Sequence, residues 1–176
     1  MEKKGWYPGK FIGRFKTQRF VREDSRVSVY LTCDEKRAQY ILSNGITGSC
    51  DVEGTSDREF FEERGKCNFA WLSLEQARRS EFGHVIFEVC VNPEEAHVAD
   101  LTIACDMFNV CTYAYDHPNL ESRCIELVKA YRQSMQRLSE YLAKGNIKPE
   151  EVEVIIDKPV SIKDITFLER RPLHSF

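Results

Sequence analysis

The chain has 176 residues, of which 42 % are hydrophobic and 30 % charged, with a net charge of -3. That balance suits one soluble globular domain, long enough to build a core without disulfides or a structural metal. No secretory h-region and no bilayer-length apolar run are visible, so a cytoplasmic protein without a membrane segment is expected.

Charge is unevenly distributed. Residues 1–24 read as a basic aromatic arm ahead of a main domain over 25–176. Within residues 1–22, Lys3, Lys4, Lys10, Arg14, Lys16, Arg19 and Arg22 stand against Glu2 alone, interleaved with Trp6, Tyr7, Phe11, Phe15 and Phe20. Cations and rings so mixed suit nucleic acid, with its phosphates and bases. They equally suit an arm that packs its rings on the domain and leaves its cations in water.

Arg26 to Thr32 reads as the first strand. Asp34 is a helix N-cap with Glu35 in the first turn; Ala38, Ile41 and Leu42 form an apolar stripe, and Asn44-Gly45 stops the helix. Residues 46–66 are polar and contain glycine, predicting a long surface loop with a helical turn over Asp57 to Glu63. Phe69 to Leu72 is a short strand, and Ser73-Leu74-Glu75-Gln76 fits a capping box that opens a helix ending by Gly83.

Val85 to Val91 is the clearest central strand, with Val85, Phe87, Val89 and Val91 on one face. After the Asn92-Pro93 turn, residues 96–104 read as extended, and 105–118 suit either a cleft-lining loop or a short helix. Past Pro118, a single helix runs to Lys144-Gly145 on Cys124, Leu127, Val128, Tyr131, Met135, Leu138, Tyr141 and Leu142. Arg132, Gln133, Gln136, Arg137 and Glu140 form its solvated face. Val152, Val154 and Ile156 then alternate with Glu151, Glu153 and Ile155, a strand that must lie at a sheet edge or look into a cleft. Ile165 to Leu168 is the last strand.

The class is therefore α+β with short, largely antiparallel strands. No G-x-G-x-x-G and no G-K-[ST] supports a Rossmann or P-loop site. Cysteines 33, 50, 67, 90, 105, 111 and 124 are odd in number and lack C-x-x-C spacing. They read as reduced thiols, with Cys33, Cys90 and Cys124 as small core residues. The histidines at 84, 97, 117 and 174 show no ligand spacing, and no metal is expected.

Four pieces in order carry a resemblance: Val29-Tyr30-Leu31-Thr32, Tyr40 to Ile46 with its Asn-Gly stop, Phe69-Ala70-Trp71-Leu72-Ser73, and Glu153-Val154-Ile155-Ile156 followed by Pro159-Val160. Over residues 26–168 the chain resembles the ADP-ribosyltransferase superfamily. The resemblance implies a single domain with a split, largely antiparallel sheet flanked by helices. It implies cleavage of the nicotinamide–ribose bond of NAD and transfer of ADP-ribose to a macromolecule, nucleic acid or protein. A monomeric effector, toxin or phage-type protein would fit that size.

Residue by residue, the resemblance implies Glu153 as the catalytic carboxylate beside an oxocarbenium-like ribose. Tyr30, backbone groups of Leu31, Thr32, Phe69, Trp71 and Ser73 would hold NAD. Glu151, Arg58 and Arg64 would face substrate. Tyr30 stands where many members have His, and a phenol offers hydrogen bonds but no cation at neutral pH. Trp71 stands where the family more often has Tyr, and the Ser-Thr-Ser signature of the arginine-modifying branch is absent. The alternative is an inactive module of this fold that binds a nucleotide, nucleic acid or protein. Under a third reading Glu153 pairs with a cation and Trp71 is simply packed.

Overall fold

Alternation fixes the first sheet. In β1 (Val27–Cys33) the odd residues Val27, Val29, Leu31 and Cys33 are buried while Ser28, Tyr30 and Thr32 keep some exposure. β3 (Val85–Val91) pairs antiparallel with β1 and presents Val85, Phe87, Val89 and Val91 to the same core. β7 (Ile165–Arg170) pairs with the other edge of β3. The order β1-β3-β7 makes β3 central, as its apolar face predicts. The computed structural model describes residues 24–172 apart from 49, 52, 53, 115 and 116. The basic arm thus lies outside the described residues, Asp24 excepted.

The second sheet has the order β2-β6-β4-β5. β2 (Asn68–Ala70) and β4 (Ala96–Asp100) flank β6 (Val152–Ile156) on either side, all antiparallel. β5 is the two-residue Gln136–Arg137 on the outer edge of β4. Helices complete this α+β fold: α1 (Glu35–Asn44), α2 (Asp57–Arg64), α3 (Leu74–Arg79), α4 (Leu101–Ala114), α5 (Glu121–Ser134) and α6 (Leu138–Ala143). One core lies where the two sheets meet α1 and α6, around Leu31, Ile41, Phe87, Leu138 and Val154. The other lies between the second sheet and helices α2, α4 and α5, around Phe60, Met107, Tyr131 and Ile155. Among the described residues no helix is long and apolar enough to cross a membrane.

Local signals held where the chain supplies its own partners. Asp34 caps α1 by accepting from the Arg37 N–H at 2.8 Å, and the Gly45 N–H closes the helix on the Ile41 carbonyl. Gly45 has φ +74°, and a Cβ there would stand 2.6 Å from the Val160 carbonyl oxygen, so glycine is required. Leu42, however, is exposed; Ala38 and Ile41 alone carry the buried stripe.

Tertiary partners changed other expectations. The extended segment over 96–104 ends at Asp100, whose side chain accepts from the Ile103 N–H and starts α4. α4 then runs through most of 105–118. The single helix over 119–145 breaks at Met135, because Gln136 and Arg137 pair with Val98 and His97 at the sheet edge. Arg132, expected on a solvated face, ion-pairs with Asp57 at 2.9 Å.

The cysteines also differ from the reduced set expected. Cys50 is bridged to Cys67 and Cys111 to Cys124, leaving Cys33, Cys90 and Cys105 outside the disulfides. The first bridge closes the loop that carries α2, and the second ties the end of α4 to the start of α5. Neither pairing has a spacing motif. Each is created by elements that the fold brings together.

Candidate functional site

Two sheets share one face through a single backbone join. Tyr30 and Trp71 form an isolated antiparallel bridge, each N–H donating to the other's carbonyl at 2.8 Å. Directly opposed residues of an antiparallel pair point to the same side. Tyr30, Thr32 and Trp71 therefore lie on one face, and the Trp71 Nε1–H reaches the Thr32 hydroxyl at 3.4 Å. In the second sheet Phe69 opposes Ile155 and Ala70 opposes Val154. The ladder ends there; by strand alternation Trp71 takes the side of Phe69, and Glu153 that of Ile155. Positions 30, 71 and 153 thus lie on or next to the adjoining strands β1, β2 and β6.

Glu153 itself is neither at an edge nor in an open groove, as its sequence pattern had suggested. β6 is an interior strand, and the Glu153 side chain keeps 10 % of its surface. An unpaired charge there would cost several kcal/mol or more, so partners are required. Arg64 at the end of α2 donates to Oε1 at 2.7 Å, and the Tyr131 hydroxyl of α5 donates to the same oxygen. Oε2 accepts no hydrogen bond among the described residues.

The surroundings complete an electrostatic unit. The Arg64 guanidinium stacks 4.1 Å above the Phe69 ring and 5.1 Å from that of Tyr131. Its Nε is buried without a partner. Burial works against the Arg64 charge, yet the Glu153 carboxylate and the Tyr131 phenol outweigh it and hold the guanidinium above its ordinary range. Burial, reinforced by the charge of Glu153, pushes the Tyr131 phenol well up. On α4, burial first and Glu153 second raise the Cys105 thiol to about 11.

The remaining sequence candidates separate clearly. Leu31 has a buried side chain, and its peptide groups turn away from the join. Strand residues alternate the edge to which they bond; Tyr30 bonds to Trp71, so Leu31 bonds to β3. Ser73 is fully buried, and its Oγ accepts from the Gln76 N–H at 3.2 Å, making it the cap of α3 rather than a ligand. Phe69 lies beneath Arg64. Glu151 does not share a strand face with Glu153. Pro149 opens a 3-10 turn over Pro149–Glu151, so the strand period begins at Val152, and Glu151 pairs with Lys148 at 2.7 Å. Arg64 is a buried partner of Glu153 rather than a solvated loop cation. The Arg58 side chain lies outside the described residues.

Sequence reasoning missed two residues. Tyr131 read as one more apolar helix position, and nothing in its surrounding sequence marks its hydroxyl as a partner of Glu153. Glu88 lies opposite Tyr30 on β3 and accepts from the Ser28 hydroxyl at 2.5 Å. Its place on the non-core side of the central strand, between Phe87 and Val89, was the available signal.

Cavities lie elsewhere. One of about 250 Å³ is lined by Asp100, Ser134, Tyr141, Lys148 and Glu151, and one of about 110 Å³ by Cys50, His97, Arg137 and Asp157. Among the described residues no group of three or more His, Cys, Asp or Glu side chains is placed to hold a metal. No protein-family description, no curated protein and no solved structure matches this chain.

Proposed function

We propose that this chain is an NAD-dependent mono-ADP-ribosyltransferase acting on a macromolecular acceptor, nucleic acid or protein. One observation carries the reading: Tyr30 is bridged to Trp71, and β2, which leads into Trp71, pairs with β6, the strand that holds Glu153. The residues there suit the dinucleotide. A partly exposed indole offers a stacking surface, and a fixed carboxylate has one oxygen that accepts no hydrogen bond among the described residues. The unpartnered Nε–H of Arg64 adds a donor that suits a phosphate or ribose oxygen.

NAD supplies a glycosidic bond whose cleavage generates an oxocarbenium-like ribose. The chain's part is to orient that ribose and meet its positive charge. Glu153 can do so through Oε2, while Arg64 holds the other oxygen at 2.7 Å. Trp71 can pack a flat apolar face on nicotinamide and exclude water from it.

The experiment is nicotinamide release from NAD with nucleic acid or protein present, followed by mass spectrometry of the acceptor. Release with a mass increment on the acceptor is expected; no release and no increment reject the transferase. A specific observation favours a second reading, that of an inactive module on this fold. Glu153 and Ser73 already satisfy protein partners, and the two cavities described are lined by neither Tyr30, Trp71 nor Glu153. NAD bound without turnover selects that reading.

A further inference from the structure

A carboxylate held by no neighbour turns readily about its last torsion, so its two oxygens exchange roles. Glu153 is held differently. Arg64 approaches from α2 and Tyr131 from α5, and both donate to Oε1. Two donors from separate elements fix the carboxylate plane as well as its position. We infer that Tyr131 is a positioning residue: together with Arg64 it anchors Glu153 through Oε1 and leaves Oε2 alone to meet the substrate. This assignment rests on the transferase reading and extends it to a residue that does not itself reach the reacting atoms.

The packing supports a dedicated role. Tyr131 is fully buried, its ring 5.7 Å from that of Phe60, and α2 is tied to α5 again by Asp57 and Arg132 at 2.9 Å. The two donors therefore arrive on elements that are fastened to each other. The raised phenol stays protonated across the working pH range and remains a donor. A phenylalanine at 131 would fill the same space and remove only the hydroxyl.

The test combines kinetics with infrared spectroscopy of the full chain. Tyr131→Phe is expected to lower kcat for nicotinamide release about 10-fold, the worth of one hydrogen bond to a charged group, with KM for NAD within about twofold. Infrared difference spectra against Glu153→Gln isolate the carboxylate bands of residue 153. With both donors on one oxygen the two C–O bonds are unequal, which spreads the antisymmetric and symmetric stretches apart. That separation should narrow in Tyr131→Phe. An unchanged separation, or an unchanged kcat despite narrowing, overturns the assignment. Should Tyr131→Phe not fold, Arg64→Lys keeps the charge, loses the forked donor and is expected to show the same narrowing. Wild type that releases no nicotinamide overturns the transferase reading and the positioning role with it, while the infrared bands separately decide the anchoring.

Discussion

Tyr30 and Trp71 exchange two backbone hydrogen bonds of 2.8 Å, and through that pair the three-stranded sheet meets the four-stranded one. The join is made by peptide groups, and beside it the Trp71 Nε1–H reaches the Thr32 hydroxyl. A side-chain change at either residue therefore tests the proposed NAD contact while leaving the two backbone bonds in place.

Trp71 gives the most direct readout of that separation. The chain contains two tryptophans, the other being Trp6. In a Trp6→Phe background, NAD is expected to change the emission of Trp71. Trp71→Ala should weaken NAD binding by roughly 1–3 kcal/mol, the scale of aromatic stacking on a planar base. Calorimetry showing equal affinity, with emission unaffected by NAD, removes Trp71 from the site.

Glu153→Gln should lose both chemistry and stability. Removing the charge is expected to lower nicotinamide release about 10²-fold or more, as for other fixed groups that meet developing charge. It also leaves the Arg64 guanidinium, only 12 % exposed, without its counter-charge. Breaking a buried pair from one side costs on the order of 3–5 kcal/mol, whereas replacing both partners with apolar groups of similar volume is often tolerated. Urea titration should therefore rank Glu153→Gln below the double replacement Arg64→Met with Glu153→Leu. The reverse order means that the pair does not stabilise the fold.

The sequence was legible where residues answer to their neighbours. The alternation of Val85 to Val91, the Asp34 cap and the Ser73 cap all depend on contacts within a few positions; the return bond of the expected capping box is absent, the Gln76 amide donating to the Pro149 carbonyl instead. Phe60, Arg64 and Tyr131 were not legible as a group. Arg64 reaches Glu153 across 89 positions and Tyr131 across 22, and no local pattern encodes either meeting. The break at Met135 has no glycine or proline to announce it; the open edge of β4 decides it. The candidate face was visible as short motifs, but the burial of Glu153 was not. A glutamate alternating with valines reads the same on an edge strand as on an interior one that has captured an arginine.

The disulfides give a prediction that needs no ligand. Alkylation of the unreduced, denatured chain should label Cys33, Cys90 and Cys105, and reduction should add Cys50, Cys67, Cys111 and Cys124. Labelling of all seven without reduction would show that the thiols are unpaired as purified. Cys50 and Cys67 are 17 positions apart. Closing a loop of that size stabilises by about 3 kcal/mol on the chain-entropy account. Cys50→Ser with Cys67→Ser should lower the urea midpoint accordingly, and hydrogen exchange should rise first in α2. Equal exchange in α2 would show that Phe60 and Asp57 hold the helix without the bridge.

Tyr131 makes an alkaline prediction whose sign is fixed by its environment. Burial and the neighbouring Glu153 raise its folded pKa well above the ordinary 10.0. Between about pH 10 and that higher folded value, the unfolded chain has released the phenolic proton while the native chain retains it. The unfolded state binds fewer protons in this window, so stability falls as pH rises. The contribution is fully present below pH 10 and is lost as pH climbs through the folded value. Tyr131→Phe has no such proton to lose. Its urea midpoint should start below wild type at pH 8, because one buried hydrogen bond is gone, and should fall less steeply above pH 10. Parallel curves for the two proteins would place the phenol in contact with water and away from Glu153.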